Sequence, residues 1–184
     1  MRIICDLDSI VFDVMTPWLD EVNRRFGDNL TIADIDSWNW HEKSRGGFKI
    51  YDIIAEPGFF RNLKPLDGAI EGVRKLIERG HDVFIVSACD TPFAAAEKVE
   101  SVREHLPFIS KRRLIFAHEK HLLNADCIID DGPHNAEAYR VVHPDSKILT
   151  IGYPYNQGHP AYDVISGDWR DTKAAWEGIL WELL

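Results

Sequence analysis

Sulfur is scarce in this chain, with three cysteines and two methionines among 184 residues. Cys5, Cys89 and Cys127 are odd in number, lie in or beside apolar runs and show no CxxC spacing. They exclude a disulfide frame and a thiolate zinc site, and read as small core residues in a reducing compartment. A basic excess is also missing, since 21 Lys and Arg stand against 30 Asp and Glu, for a net charge of −9. Polymeric nucleic acid demands the opposite sign, so no such partner is expected. No run approaches the roughly 20 apolar residues of a membrane span. MRIICDLD reaches an acid at position 6, unlike a secretory leader. A cytoplasmic protein without membrane contact is expected. Neither GxxxxGK[ST] nor GxGxxG follows the first apolar run, which removes ATP-type phosphate loops and dinucleotide folds.

What is present describes a folded chain, because 45% hydrophobic and 28% charged residues supply enough apolar surface to offset lost conformational entropy. The length suits one domain carrying a small insertion. RIICD, DVFIVSA, RRLIF, DCIID and KILTI are short apolar runs of the kind that form strands buried on both faces. Amphipathic segments lie between most of them. After Asp67, positions 66, 69, 70, 73, 76 and 77 make a helical stripe that Gly80 stops. Thr91-Pro92 opens a second helix, with Ala95, Val99, Val102 and Leu106 as its buried stripe. The tail DTKAAWEGILWELL forms a terminal helix that docks through Trp176, Ile179, Leu180 and Leu183. The alternation predicts a doubly wound α/β domain with a parallel sheet of five strands.

One interval breaks the alternation, because the first and second strands are much further apart than one crossover helix needs. Thr16-Pro17 reads as a helix start, Trp18, Leu19, Val22 and Phe26 as its apolar face, and Gly27 as its end. A small helical cap over residues 16–64 is expected, with residues 1–15 and 65–184 as the core. Its aromatics Trp38, Trp40, Phe59 and Phe60 serve either as the cap's own core or as a surface that stacks a flat substrate.

In a parallel α/β sheet, ligands bind outside the carboxyl ends of the strands. Those ends carry Asp6, Asp8, Ser87, Asp130 and Asp131. Converging carboxylates repel, and a hard divalent cation such as Mg²⁺ relieves that repulsion. The Ser87 hydroxyl, backbone N–H groups and a lysine such as Lys120 suit phosphate oxygens. Lys111 is the rival lysine. An aspartate can attack phosphorus, and a second one two residues later can protonate the leaving oxygen and then activate water. His118 and His121 lack further partners for a zinc site and are expected at the surface.

ICDLDSIVF resembles the first motif of the haloacid-dehalogenase-like (HAD) phosphatases, VFIVSA their second, Lys120 in HEKHLLNAD their third and CIIDD their fourth. WLDEVNRRFGDNLTIADIDSWNW, PGFFRNLKPLDGAIEGV and IIDDGPHN resemble the 5′(3′)-deoxyribonucleotidase branch, cap included. The resemblance implies a Rossmann-like core and a Mg²⁺-dependent phosphomonoesterase acting on a small phosphomonoester, a nucleoside monophosphate. It implies Asp6 as nucleophile and Asp8 as acid/base, with Ser87 and Lys120 holding the phosphoryl oxygens. Asp6, the Asp8 carbonyl and Asp130 would hold the metal, while Asp131 would bind a metal-held water or orient the loop. The chain departs from the pattern at Ser9, where glycine is frequent, at Ile10, where Thr or Val is usual, and at Gly132, where the branch commonly has a basic residue. A HAD phosphatase acting on another small phosphomonoester is the alternative within the class, and two other classes remain beside it: a non-catalytic nucleotide- or protein-binding relative, and a signalling receiver. The cap and the retained Asp8 argue against the receiver.

Overall fold

The computed structural model describes residues 1–183. Leu184, the end of the expected terminal helix, lies outside the described residues. Six parallel strands form one sheet: β1 (Arg2–Cys5), β2 (Asp82–Ser87), β3 (Leu114–Phe116), β4 (Cys127–Ile129), β5 (Lys147–Ile151) and β6 (Val164–Ser166). Their spatial order is β3-β2-β1-β4-β5-β6. The sixth strand corrects the expected five. VIS is too short to stand out as an apolar run, and pairing with β5 through Leu149, Thr150 and Ile151 is what makes it a strand.

The helices are α1 (Met15–Phe26), α2 (Ile50–Ile54), α3 (Ala69–Glu78), α4 (Pro92–His105), α5 (Pro133–Val142) and α6 (Thr172–Glu182). The expected start of α1 shifts back. Asp13, not Thr16, supplies the cap, because its carboxylate accepts the Thr16 N–H at 3.0 Å. Gly27 ends this helix in the left-handed conformation at φ 70. Thr91 caps α4 as expected, its hydroxyl accepting the Ala94 N–H. In α6, Trp176, Ile179, Leu180 and Leu183 are buried, and the Trp176 indole donates to the Ile10 carbonyl at 3.0 Å. Gly72 of α3 lies beneath this ring, where an added Cβ would come within 2.3 Å of it. That close approach requires a glycine at 72.

The stripe expected for α4 is corrected. Val102 and Leu106 are buried, but Ala95 and Val99 are only half-buried, and Ala94, Glu97, Lys98 and Ser101 fill the inward face. Two charged residues on the buried face of a helix need partners. Both find them at the cap and the strand ends.

Between β1 and α3, the cap consists of α1, α2 and short 3-10 turns at Ile32–Asp34, Trp40–Glu42, Gly47–Lys49 and Phe60–Asn62. Its interior residues Ile35, Ile50, Ile53, Phe60 and Leu63 belong to the same hydrophobic cluster as Ile3, Cys5 and Ile129 of the sheet. The cap is therefore seated on the core through apolar contact. Cys5 and Cys127 are buried and Cys89 is half-buried, all as free thiols.

Candidate active site

β1 and β4 are neighbours in the sheet, with Cys5 opposite Ile129. The chain order reverses between them, and both strands deliver acids to the same end. Asp6 follows β1, and Asp130 and Asp131 follow β4. One carboxylate oxygen from each lies within 4.8 Å of the others, and all three residues are buried. The Asp6 N–H donates to the Ile129 carbonyl at 2.9 Å, which fixes the spacing of the cluster by sheet pairing.

Lys120 lies under this cluster on a 3-10 turn, 2% exposed. Its Nζ is 2.9 Å from Asp6 Oδ2 and 2.5 Å from Asp130 Oδ2. Lys111 is exposed and takes no part. Asp130 is enclosed by donors, with Oδ1 accepting the Gly132 N–H and Asn135 Nδ2 while Oδ2 meets Lys120. Asp131 differs. Its Oδ2 accepts the Tyr155 hydroxyl at 2.6 Å, and its other oxygen has no partner among the described residues. Asp131 lines the cleft above the sheet, together with Asp6, Asp8 and Lys120.

Burial raises Asp6 to about 7, against the opposing charge of Lys120 and with the repulsion of Asp130 and Asp8 added. Asp131 is raised well above the usual carboxylate range by burial, then by Asp130 and Asp6. Burial alone would lower the Lys120 ammonium, but the Asp130 and Asp6 carboxylates outweigh it and raise it. One buried ammonium thus faces three buried carboxylates, which is the donor set and charge excess that suits a hard divalent cation. Asp6, Asp130 and Asp131 are the residues that could hold such an ion.

A second buried lysine was not expected from the sequence. Lys98 of α4 is 3% exposed, and its Nζ contacts Asp8 Oδ2 at 2.5 Å, Ser87 Oγ at 3.0 Å and the Ala88 carbonyl at 2.8 Å. It also lies 4.2 Å from the centre of the Phe60 ring. The apolar stripe of α4 gave no signal for it, because that stripe places Ala95 and Val99, not Lys98, on the inward face. Its neighbour Glu97 accepts the Gly58 and Arg61 N–H groups at 2.6 and 3.1 Å. Adjacent residues on α4 therefore grip the cap and the carboxylate of Asp8.

The cleft has a volume of about 390 Å³ and is walled on the cap side by Trp38, Trp40, Phe48 and Phe60 and on the core side by His134. Phe59 is not part of this wall; it packs edge-on against Phe60, with ring centres 5.2 Å apart. The Trp38 ring packs on Trp40, Tyr155 and His134 at 5.2, 5.4 and 4.9 Å. Trp40 Nε1 is buried without a hydrogen-bond partner among the described residues. Ser87 is fully buried at the end of β2, where its hydroxyl meets Lys98. His118 is exposed and His121 half-buried, and each pairs with a nearby acid, Asp90 and Glu119.

The two departures next to the acids have local causes. Ser9 adopts φ 56, a left-handed conformation that glycine takes without steric penalty. At Gly132, an added Cβ would lie 2.9 Å from His134 Cε1 and 3.2 Å from Asp130 Oδ1. The space a larger residue would fill is held by His134.

Comparison with known proteins agrees with this geometry. Residues 1–175 match the family described as 5′ nucleotidase, deoxy (Pyrimidine), cytosolic type C protein. A 5′(3′)-deoxyribonucleotidase of Clostridium acetobutylicum is 34% identical over 180 residues, 95% of this chain and 93% of that protein. Among solved structures, a D,D-heptose 1,7-bisphosphate phosphatase from B. bronchiseptica, complexed with magnesium and phosphate, aligns with TM-score 0.51 at 12% identity, covering 98% of each chain. A hydrolase from Pseudomonas syringae aligns with TM-score 0.55 at 14% identity, over 99% of this chain and 97% of that one. These structural likenesses concern the fold. With the acids at the ends of β1 and β4, the lysine beneath them and the cap above, the chain belongs to the type C deoxy-5′-nucleotidase family of the HAD superfamily and is a phosphoric monoester hydrolase.

Proposed function

We propose that the protein hydrolyses deoxynucleoside monophosphates through an aspartyl-phosphate on Asp6, with Mg²⁺ as its metal. The observation that carries this reading is the convergence of Asp6, Asp8, Asp131 and Lys120 on one cleft with aromatic walls. Asp6 holds one oxygen on the Leu7 N–H at 2.8 Å and the other on Lys120, so its attacking group is fixed in place. Asp6 attacks phosphorus and expels the alcohol, Asp8 gives that oxygen its proton, and Asp8 then takes a proton from the water that releases phosphate. Lys120, Lys98 and the Ser87 hydroxyl supply positive charge and donors for the phosphoryl oxygens. Asp6, Asp131 and the Asp8 carbonyl would hold Mg²⁺. Asp131 stands in place of the Asp130 expected from the sequence, because the Asp130 oxygens are taken up by Lys120, Gly132 and Asn135 and would fix Lys120 and the start of α5. The bound cation would shield a dianionic ester from an anionic nucleophile.

The aromatic wall supports a nucleoside as the leaving group, since Trp38, Trp40 and Phe60 offer flat apolar faces and Trp40 an unpaired N–H donor. The relative from Clostridium acetobutylicum carries the same substrate class in its name. Phosphate release should be measured from deoxynucleotides, ribonucleotides and a small aryl phosphate, with Mg²⁺ and with a chelator. Turnover of deoxynucleotides that stops with the chelator and is abolished in Asp6→Asn is expected. Near-normal turnover by Asp6→Asn would end the covalent mechanism, and faster turnover of a sugar phosphate would end the nucleotide assignment.

A further inference from the structure

The segment after β5, Gly152–Asn156, lies outside the four motifs read from the sequence, yet it reaches three parts of the site. The Tyr153 hydroxyl donates to the Ser9 carbonyl at 3.0 Å, beside Asp8. Tyr155 stacks on Tyr153, with ring centres 5.2 Å apart and planes 10° from parallel. Its hydroxyl donates to Asp131 Oδ2, and its ring packs against Trp38 and Trp40 of the cap. Asn156 Nδ2 and the Tyr162 hydroxyl both donate to the Asp131 backbone carbonyl.

The carboxylates divide unequally among their partners. Lys120 meets Asp6 and Asp130, while the Tyr155 hydroxyl is the only side-chain donor to the Asp131 carboxylate among the described residues. A carboxylate held by one oxygen leaves the other with a defined direction, and partners of this kind set metal affinity without touching the metal. We infer that Tyr155 is a positioning residue with two separable tasks. Its hydroxyl orients Asp131 toward the divalent cation, and its ring supports the tryptophan wall against which the substrate lies. The inference rests on the proposed cation site, and its hydroxyl half is independent of which phosphomonoester is hydrolysed.

The test compares Tyr155→Phe, which removes the hydroxyl, with Tyr155→Leu, which removes the aromatic ring as well. Mg²⁺ binding is measured by calorimetry on the full chain without substrate, and steady-state kinetics follow across a Mg²⁺ series. For Tyr155→Phe, Mg²⁺ affinity falls about 10- to 100-fold. Raised Mg²⁺ restores kcat, and KM for a deoxynucleotide at saturating Mg²⁺ stays at the wild-type value. For Tyr155→Leu, Mg²⁺ affinity falls similarly, and KM for the nucleotide rises more than KM for a small aryl phosphate. Wild-type Mg²⁺ affinity in Tyr155→Phe would overturn the positioning role. Loss of activity in Tyr155→Phe that extra Mg²⁺ does not restore would also overturn it, by showing general damage. Thermal unfolding in chelator shows whether each variant is folded, and Asp131→Asn gives the metal-binding loss expected when the carboxylate itself is removed. Absence of nucleotide turnover in the wild type, together with weakened Mg²⁺ binding in Tyr155→Phe, would refute the substrate assignment and leave this inference standing.

Discussion

Asp8 and Lys98 form one pair on which both stability and the proposed chemistry would rest. The Lys98 ammonium is buried, and it is held by Asp8, the Ser87 hydroxyl and the Ala88 carbonyl. Lys98→Met keeps the apolar stem near Phe60 and removes the charge, so Asp8 loses its buried cation. Losing one donor of this kind lowers kcat by about 10²–10³. Stopped-flow phosphate release checks this, and a wild-type rate would show that Lys98 is only structural. Ser9 has the opposite character, since its left-handed backbone costs a residue with a Cβ about 1–2 kcal/mol. Ser9→Gly should therefore stabilise the fold by about 0.5–1 kcal/mol after the extra freedom of glycine in the unfolded chain is counted. Urea unfolding measures it, and destabilisation would mean that the Ser9 side chain holds the loop.

Helix α4 joins cap and core through hydrogen bonds as well as apolar contact. Glu97 accepts two backbone N–H groups of the Gly58–Arg61 turn, and the Ser101 hydroxyl donates to the Phe60 carbonyl at 3.3 Å. The turn so held presents Phe60 to the cleft. Glu97→Ala leaves two N–H groups without their acceptor and should cost about 2–3 kcal/mol, as hydrogen bonds to charged groups do. It should also raise KM for a nucleotide more than for a small aryl phosphate, because Phe60 of the turn walls the cleft while Asp6 and Lys120 are held by other segments. Equal changes for both substrates would place the effect in the core. At the other side of the cleft, Trp40→Ala removes one aromatic face, and stacking of about 1–3 kcal/mol per base predicts losses of roughly five- to a hundredfold in kcat/KM for nucleotides.

Across the whole molecule, the buried acids link stability to pH and to cation binding. Burial raises Asp6 to about 7, so the folded chain holds this proton more tightly than the unfolded chain, where aspartate titrates near 3.9. Its stabilising contribution is complete below about 4 and is lost as pH rises through about 7. Asp131 shifts in the same direction. Mg²⁺ requires the ionised carboxylates, so its stabilisation of the native state grows over the same window. The difference in Tm between Mg²⁺ and chelator should be larger at about pH 7.5 than at about pH 5. A difference that is independent of pH would show that the ion does not bind at these acids.

The order of apolar runs was enough to determine the doubly wound class, because burial on both faces leaves a parallel strand few polar positions. Asp6, Asp8, Asp130 and Asp131 were legible for the same reason: they follow strands closely, so strand position gives their place, whereas Lys120, on a turn between β3 and β4, was singled out over Lys111 only by the family resemblance. Ser87 was legible too, as the last residue of β2. The sixth strand, the inward face of α4 and the Tyr155 contact were not legible. VIS becomes a strand only by hydrogen bonding to β5, and Lys98 and Glu97 are buried only because the cap and Asp8 meet them. Tyr155 reaches Asp131 across 24 positions of sequence, a contact made by the turn after β5 and by no local pattern. The sequence alone determined which residues stand at the strand ends, through hydrophobic burial and backbone pairing. Tertiary packing decided which carboxylate keeps a free oxygen and which lysine meets which acid, because those outcomes depend on side chains brought together from distant segments.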